Sequence, residues 1–253
     1  MHRQVFFGIL LGLGLSLGAA TAAWAEGSPP LITDDPGTPG NGCWEINLGY
    51  STERRPDEQI SEAPVVDLNY GVGESLQLTY EAPYLVQRAD SGANVSGLGN
   101  STFSVKWRFL DGGEHGLALS IFPKIEFNTP GSSSADRGLV DSGSTFVMPV
   151  QLQKDVGPVT LNLQVGREFR SDGDTWLYGA VVTRQLSAKV AVAAELAGTA
   201  AARLDRSALT LDFGLVVDVS ERSSFLLSIG RELHNHDEPR ATLVGYVGWQ
   251  LRL

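Results

Sequence analysis

Residues 208–219 read ALTLDFGLVVDV. Leu209, Leu211, Phe213, Leu215, Val217 and Val219 fall on one parity; Ala208, Thr210, Asp212, Gly214, Val216 and Asp218 fall on the other. A period of two marks a β-strand whose two faces meet different surroundings. The stretch is long for a globular strand, which averages about 5–6 residues, and suits the roughly 9–11 tilted residues that cross a bilayer.

The same alternation recurs outward from this stretch. In 158–168, PVTLNLQVGRE, the residues Val159, Leu161, Leu163 and Val165 oppose Thr160, Asn162, Gln164 and Gly166. In 102–110, TFSVKWRFL, the residues Phe103, Val105, Trp107 and Phe109 oppose Ser104, Lys106 and Arg108. Continued along the chain, the pattern predicts twelve strands, near 43–52, 62–72, 75–84, 100–110, 116–128, 143–154, 158–169, 175–186, 189–198, 207–219, 223–232 and 240–253. Only 175–186 leaves its faces open, with Trp176, Tyr178, Ala180 and Val182 competing against Leu177, Gly179 and Val181. Short connections rich in Gly and Asp (71–75, 110–116, 155–158, 187–189, 220–223) alternate with longer polar ones (52–62, 85–99, 129–142, 170–174, 199–206, 233–240). Short and long in turn is the layout of an up-and-down outer-membrane barrel.

A soluble sandwich alternates as well, with its apolar face turned to a core. Three features favour a membrane barrel. The strands are long. Aromatics gather near strand ends on the apolar face: Trp44, Tyr50, Tyr70, Tyr80, Trp107, Phe109, Phe127, Trp176, Tyr178 and Trp249, as interfacial girdles require. Charge is nearly absent from the middle of those faces, where Arg or Lys would cost roughly 2–4 kcal/mol in lipid. The fold expected is therefore all-β, a transmembrane antiparallel up-and-down barrel of about twelve strands.

The ends of the chain fit this reading. Arg3, the apolar run 5–20 and the Ala23-Trp24-Ala25 cleavage pattern predict a signal peptide over 1–25. Residues 26–42 follow as an irregular N-terminal arm, and 43–253 as the barrel. Backbone groups in hydrocarbon must all pair, so the last strand has to meet the first. In the closing GYVGWQLRL, the outward positions are Gly245, Val247, Trp249, Leu251 and Leu253. The pattern resembles the C-terminal signal read by the outer-membrane barrel assembly machinery, with Leu253 in place of the usual Phe or Trp.

The segment PPLITDDPGTPGNGCWEINLGYS, 29–51, carries a further resemblance. Thr33, Asp34, Asp35, Pro36, Gly37, Thr38, Pro39 and Gly40, followed by Trp44, Glu45, Ile46 and Asn47, are similar to the start of the outer-membrane family named for the meta-pathway of phenol degradation, whose members are labelled transporters. The resemblance implies a bacterial outer-membrane barrel tied to uptake of aromatic or other apolar compounds. It supplies no binding residue.

Prolines and glycines keep the arm out of a helix or a central strand. Two placements are open. It folds into the lumen as a plug, with Asp34 and Asp35 meeting interior cations, or it is a periplasmic leader to the first strand. The inward face carries the candidate lumen-lining residues Glu45, Asp67, Glu81, Lys106, Arg108, Lys124, Glu126, Glu168, Glu195 and Asp212. They form either a solute-selecting channel or a self-satisfying salt-bridge interior, and a barrel of this size suggests a narrow or gated lumen. The formal charge of −10 and the absence of a basic block argue against nucleic acid as a partner. Expected partners are outer-membrane lipid, the assembly machinery and a small-molecule solute. No cofactor motif is present. Cys43, the one cysteine, cannot form an internal disulfide. His234 and His236 belong to a polar connection and read as solvated rather than metal-binding. A hydrolase would need a Ser–His pair, and no histidine falls within a predicted strand beside a serine. A channel for small molecules is the reading favoured, with a closed envelope barrel as the alternative.

Overall fold

The computed structural model describes residues 29–90, 94–111, 116–171 and 173–253. The predicted signal peptide at 1–25, the first residues of the arm and His115 lie outside them. The strands are β1 (Trp44–Arg54), β2 (Glu58–Val72), β3 (Leu76–Ala89), β4 (Val95–Leu98), β5 (Ser101–Leu110), β6 (Leu117–Ile121), β7 (Lys124–Phe127), β8 (Ser144–Val156), β9 (Val159–Phe169), β10 (Thr175–Ser187), β11 (Val190–Ala201), β12 (Ser207–Ser220), β13 (Ser223–Asn235) and β14 (Leu243–Arg252).

They make one closed antiparallel barrel of twelve staves. Two staves are broken: β4 continues into β5 past Gly99-Asn100, and β6 into β7 past Phe122-Pro123. The second break follows from proline, which lacks the N–H a ladder needs; β5 and β8 pair with both halves. Closure runs through β1 and β14 in the register Glu45↔Arg252 to Arg54↔Leu243, with Leu48 opposite Trp249. The terminal strand thus leaves no edge open to hydrocarbon.

Burial is inverted relative to a soluble domain. The interior buries Asn47, Asp67, Gln77, Lys106, Gln151, Glu195 and Asp212, while Leu48, Phe103, Ile125, Leu163, Val182, Phe213 and Ile229 are exposed. In β12, Asp212 is 1% exposed and its neighbour Phe213 is 53% exposed. This contrast separates a lipid-facing barrel from a sandwich with the same alternation. The open question in β10 is settled by the inward turn of Leu177 and Val181 and the exposure of Tyr178 and Val182. Aromatic pairs cluster toward the strand ends: Trp44 with Tyr70, Trp107 with Phe109 and Phe225 with Trp249 at one end, Phe146 with Phe169 at the other.

The strands outrun their expected lengths at the end with the longer connections. The predicted connection 52–62 shrinks to 55–57, and 85–99 is largely strand, with β3 and β4 paired from Tyr84↔Leu98 to Gln87↔Val95. Beyond the lipid both faces of a strand meet water or other polar groups, so alternation of hydrophobicity disappears although the ladder continues. The connection 128–143 is long and packs against β4 and its break: Arg137 donates to the Ser96 carbonyl, and Asn128 Nδ2 donates to Asn100 Oδ1 and, within the connection, to the Asp141 carbonyl.

Candidate functional site

Among the described residues, buried charge collects mainly in the lumen, and the arm runs through it. The lower part of the arm is fixed to the short β2–β3 turn. Gly42 N donates to the Gly71 carbonyl at 3.0 Å, Thr38 Oγ1 to the Glu74 carbonyl at 2.9 Å, and Gly73 N to Asn41 Oδ1 at 2.9 Å. A Cβ on Gly71 would overlap the Gly40 carbonyl, so only glycine admits the arm there.

From this anchor the arm climbs into the barrel. Asp34 Oδ1 meets Lys106 Nζ on β5 at 2.9 Å, with both side chains 2% exposed. The Asp34 amide donates to Gln164 Oε1 on β9 at 3.3 Å. The amides of Ile32 and Thr33 donate to the two carboxylate oxygens of Glu195 on β11, at 2.9 and 2.5 Å. Thr33 lies over Gly179 of β10, where a Cβ would overlap its hydroxyl oxygen. β5 and β11 are the fourth and ninth of twelve staves in barrel order, so the arm bridges nearly opposite walls. Its irregular backbone suits this role, because amides unused in any ladder are free to bond the wall.

The arm and wall are electrically matched. Lys106 and Arg108 on β5 and Lys124 on β7 stand on one side of the lumen, while Arg252 of β14, in register with Glu45, is held by Asp218 at 2.9 Å near the strand end. The arm brings Asp34 to Lys106. The opposite side is acidic, and there the arm offers backbone N–H groups. Phe122, turned inward by the break between β6 and β7, is flanked by Lys106 and Lys124 at 4.7 and 4.6 Å from its ring centroid. Those distances are within cation–π range.

The sequence-predicted lumen residues distribute as follows. Asp67 accepts from Asn47 and Asn69 at 2.9 and 3.0 Å. Arg108 donates to the Glu74 carbonyl at 2.6 Å, near the β2–β3 turn. Glu126 accepts from Asn100 at 2.6 Å. Glu168 pairs with Arg170 at 3.3 Å near the far rim. Glu45 lies in register with Arg252 and Asn69. Glu81 and Asp212 line a residual cavity. Asp35 Oδ1 accepts the Gly37 amide at 2.5 Å, which turns the arm.

Sequence reasoning passed over Gln151, Gln164, Phe122 and Gly179. Gln151 and Gln164 belong to a buried chain in which Ser120 donates to Gln151 and Gln151 to Gln164. Their inward parity was visible. A glycine inside a strand, as at 179, is itself a sign of close backbone approach. Phe122 lies at a proline break, where parity carries no information.

A second charged cluster caps the far rim. Arg55 reaches Glu53 at 2.5 Å, Glu232 at 3.0 Å and Glu238 at 3.3 Å. It ties the β1–β2 connection to the β13–β14 connection across the start of β14. His234 and His236 stand at the end of β13 and just past it.

No protein-family model matches the chain, and no curated protein matches it in sequence. Solved structures do match in shape. An outer-membrane channel from Pseudomonas putida F1 aligns with a TM-score of 0.66 at 14% identity, covering 87% of this chain and 98% of that one. The NanC porin aligns at 0.57 with 8% identity, covering 82% and 98%. The KdgM porin in complex with disordered oligogalacturonate aligns at 0.55 with 10% identity, covering 81% and 98%. The chain has the fold of bacterial outer-membrane channels and porins.

Proposed function

We propose that this protein is a gated outer-membrane channel for small molecules, held shut by its own N-terminal arm. The observation that carries the proposal is the bridge from Lys106 on β5 to Glu195 on β11, made by residues 32–34 across the lumen. A leader that only positioned β1 would have no reason to bury Asp34 in an ion pair or to lie over a glycine in the far wall. Removing one partner of such a buried pair costs about 3–5 kcal/mol, so substitution of either residue perturbs the closed state strongly.

The arm is also the segment that resembles the phenol meta-pathway family. That resemblance and the barrel fold together support membership of that group and transport of apolar or aromatic compounds. Export by the signal peptide at 1–25 and insertion by the barrel assembly machinery through the C-terminal strand belong to the same reading.

Single-channel recording in planar bilayers tests it. The mature chain is expected to conduct weakly, and a variant lacking 26–42 to conduct strongly and to admit solutes in liposome swelling. Silence from both forms would favour a closed structural barrel, a reading to which the dense hydrogen bonding between arm and wall also lends itself.

A further inference from the structure

The arm does not fill the lumen evenly. Between it and β12, β13, β14, β1, β2 and β3 lies a cavity of about 90 Å³. Glu62, Glu81 and Asp212 line it, with Tyr246, Val65 and Val244, and no Lys, Arg or His is among its lining residues. Glu62 accepts from Ser51 Oγ at 2.6 Å, and Asp212 accepts the Phe213 amide at 2.8 Å; neither has an ion pair among the described residues. Asp212 is 1% exposed. The basic residues Lys106, Arg108 and Lys124 stand across the lumen on β5 and β7.

At the level of this cavity the wall made by β12, β2 and β3 is acidic, and the space the arm leaves free runs along it. The arm's ion pair and its backbone bonds are made with β5, β9 and β11, so none of these bonds occupies Glu62 or Asp212. A narrow passage with low-dielectric surroundings focuses the field of the charges that line it, and rings of carboxylates favour cations. Tyr246 adds an aromatic face and a hydroxyl oxygen that lacks a hydrogen-bond partner among the described residues.

We propose that the open channel selects cationic over anionic solutes, with Glu62 and Asp212 as the residues that set this preference. The substrate class is a small organic cation with an apolar body: the carboxylates take the charge, and Val65, Val244 and Tyr246 take the rest. This inference rests on the channel reading above.

The test is reversal potential and flux in the variant lacking 26–42, reconstituted in planar bilayers and in liposomes. Under a potassium chloride gradient, the reversal potential is expected to show potassium more permeant than chloride. Benzyltrimethylammonium and benzenesulfonate are both permanently charged, so neither crosses as a neutral form, and the cation is expected to pass faster. Glu62→Gln with Asp212→Asn keeps side-chain size and should move the reversal potential toward zero and reduce the flux ratio toward one. Conductance with chloride preference, or a ratio unchanged by the double substitution, would overturn the inference while leaving the channel standing. Absence of conductance would overturn both, and the two failures are read on different quantities.

Discussion

Asp34 and Lys106 show how much one ion pair can govern. Each is 2% exposed in the pair, so substitution of either leaves a charge without its partner in a poor solvent for it. Asp34→Asn and Lys106→Met should each raise open probability in bilayers. The exchange Asp34→Lys with Lys106→Asp should restore closure, a coupling of roughly 0.5–3 kcal/mol in a double-mutant cycle on the gating equilibrium. Gly179 gives an independent handle that changes no charge. A leucine there would occupy the place of Thr33, so Gly179→Leu is expected to expel the arm and raise conductance, while the heat-modifiable mobility of the barrel on gels stays that of the parent. The residues' inward parity was legible in the sequence: Lys106, Glu195 and Asp212 alternate with Trp107, Leu196 and Phe213. Their partners were not, because the bonds join positions 72 and 163 residues apart, and no local pattern records such pairings.

At the scale of elements, the staves were legible where lipid touches them and faded where it does not. β9 and β12 announce themselves because every second residue must be apolar. The upper parts of β2, β3 and β13 do not, since Gln59, Ser61, Gln87 and Asn235 satisfy a ladder in water as well as any residue. The rim cluster lies in this silent zone. Burial holds the Glu238 carboxyl above its usual range, with Arg55 pulling it back and Glu232 pushing the same way as burial. An acid raised in the folded state contributes stability that is complete below its unfolded value near 4.3 and fades as pH climbs through the higher folded value. The connection 236–242 should therefore resist limited proteolysis better at pH 4.5 than at pH 7. Glu238→Gln should shrink that difference. An unchanged pH response in this variant would assign the effect elsewhere in the cluster.

Across the whole molecule, the outer surface is the solvent contract of the fold. Phe213 is 53% exposed midway along β12, and Phe213→Arg should cost roughly 2–4 kcal/mol in a bilayer, measured as a lower urea midpoint for unfolding from liposomes. Thr210→Arg, two places from the buried Asp212 on the inward parity, should not carry that lipid penalty. The architecture could be argued from sequence because a membrane imposes it on every stave at once. The occupancy of the lumen could not, because the arm has no period to read. In the proposed function that arm is a tethered gate, joined to β1 through Gly42 and clamped at Gly71. A ligand on so short a leash has an effective concentration in the millimolar range, and closing a loop of about ten residues takes roughly 10–100 ns. Reclosure is then first order. Conduction would come in brief bursts whose length reports how slowly the withdrawn arm regains its bonds, and a solute that competes for those bonds would lengthen its own passage.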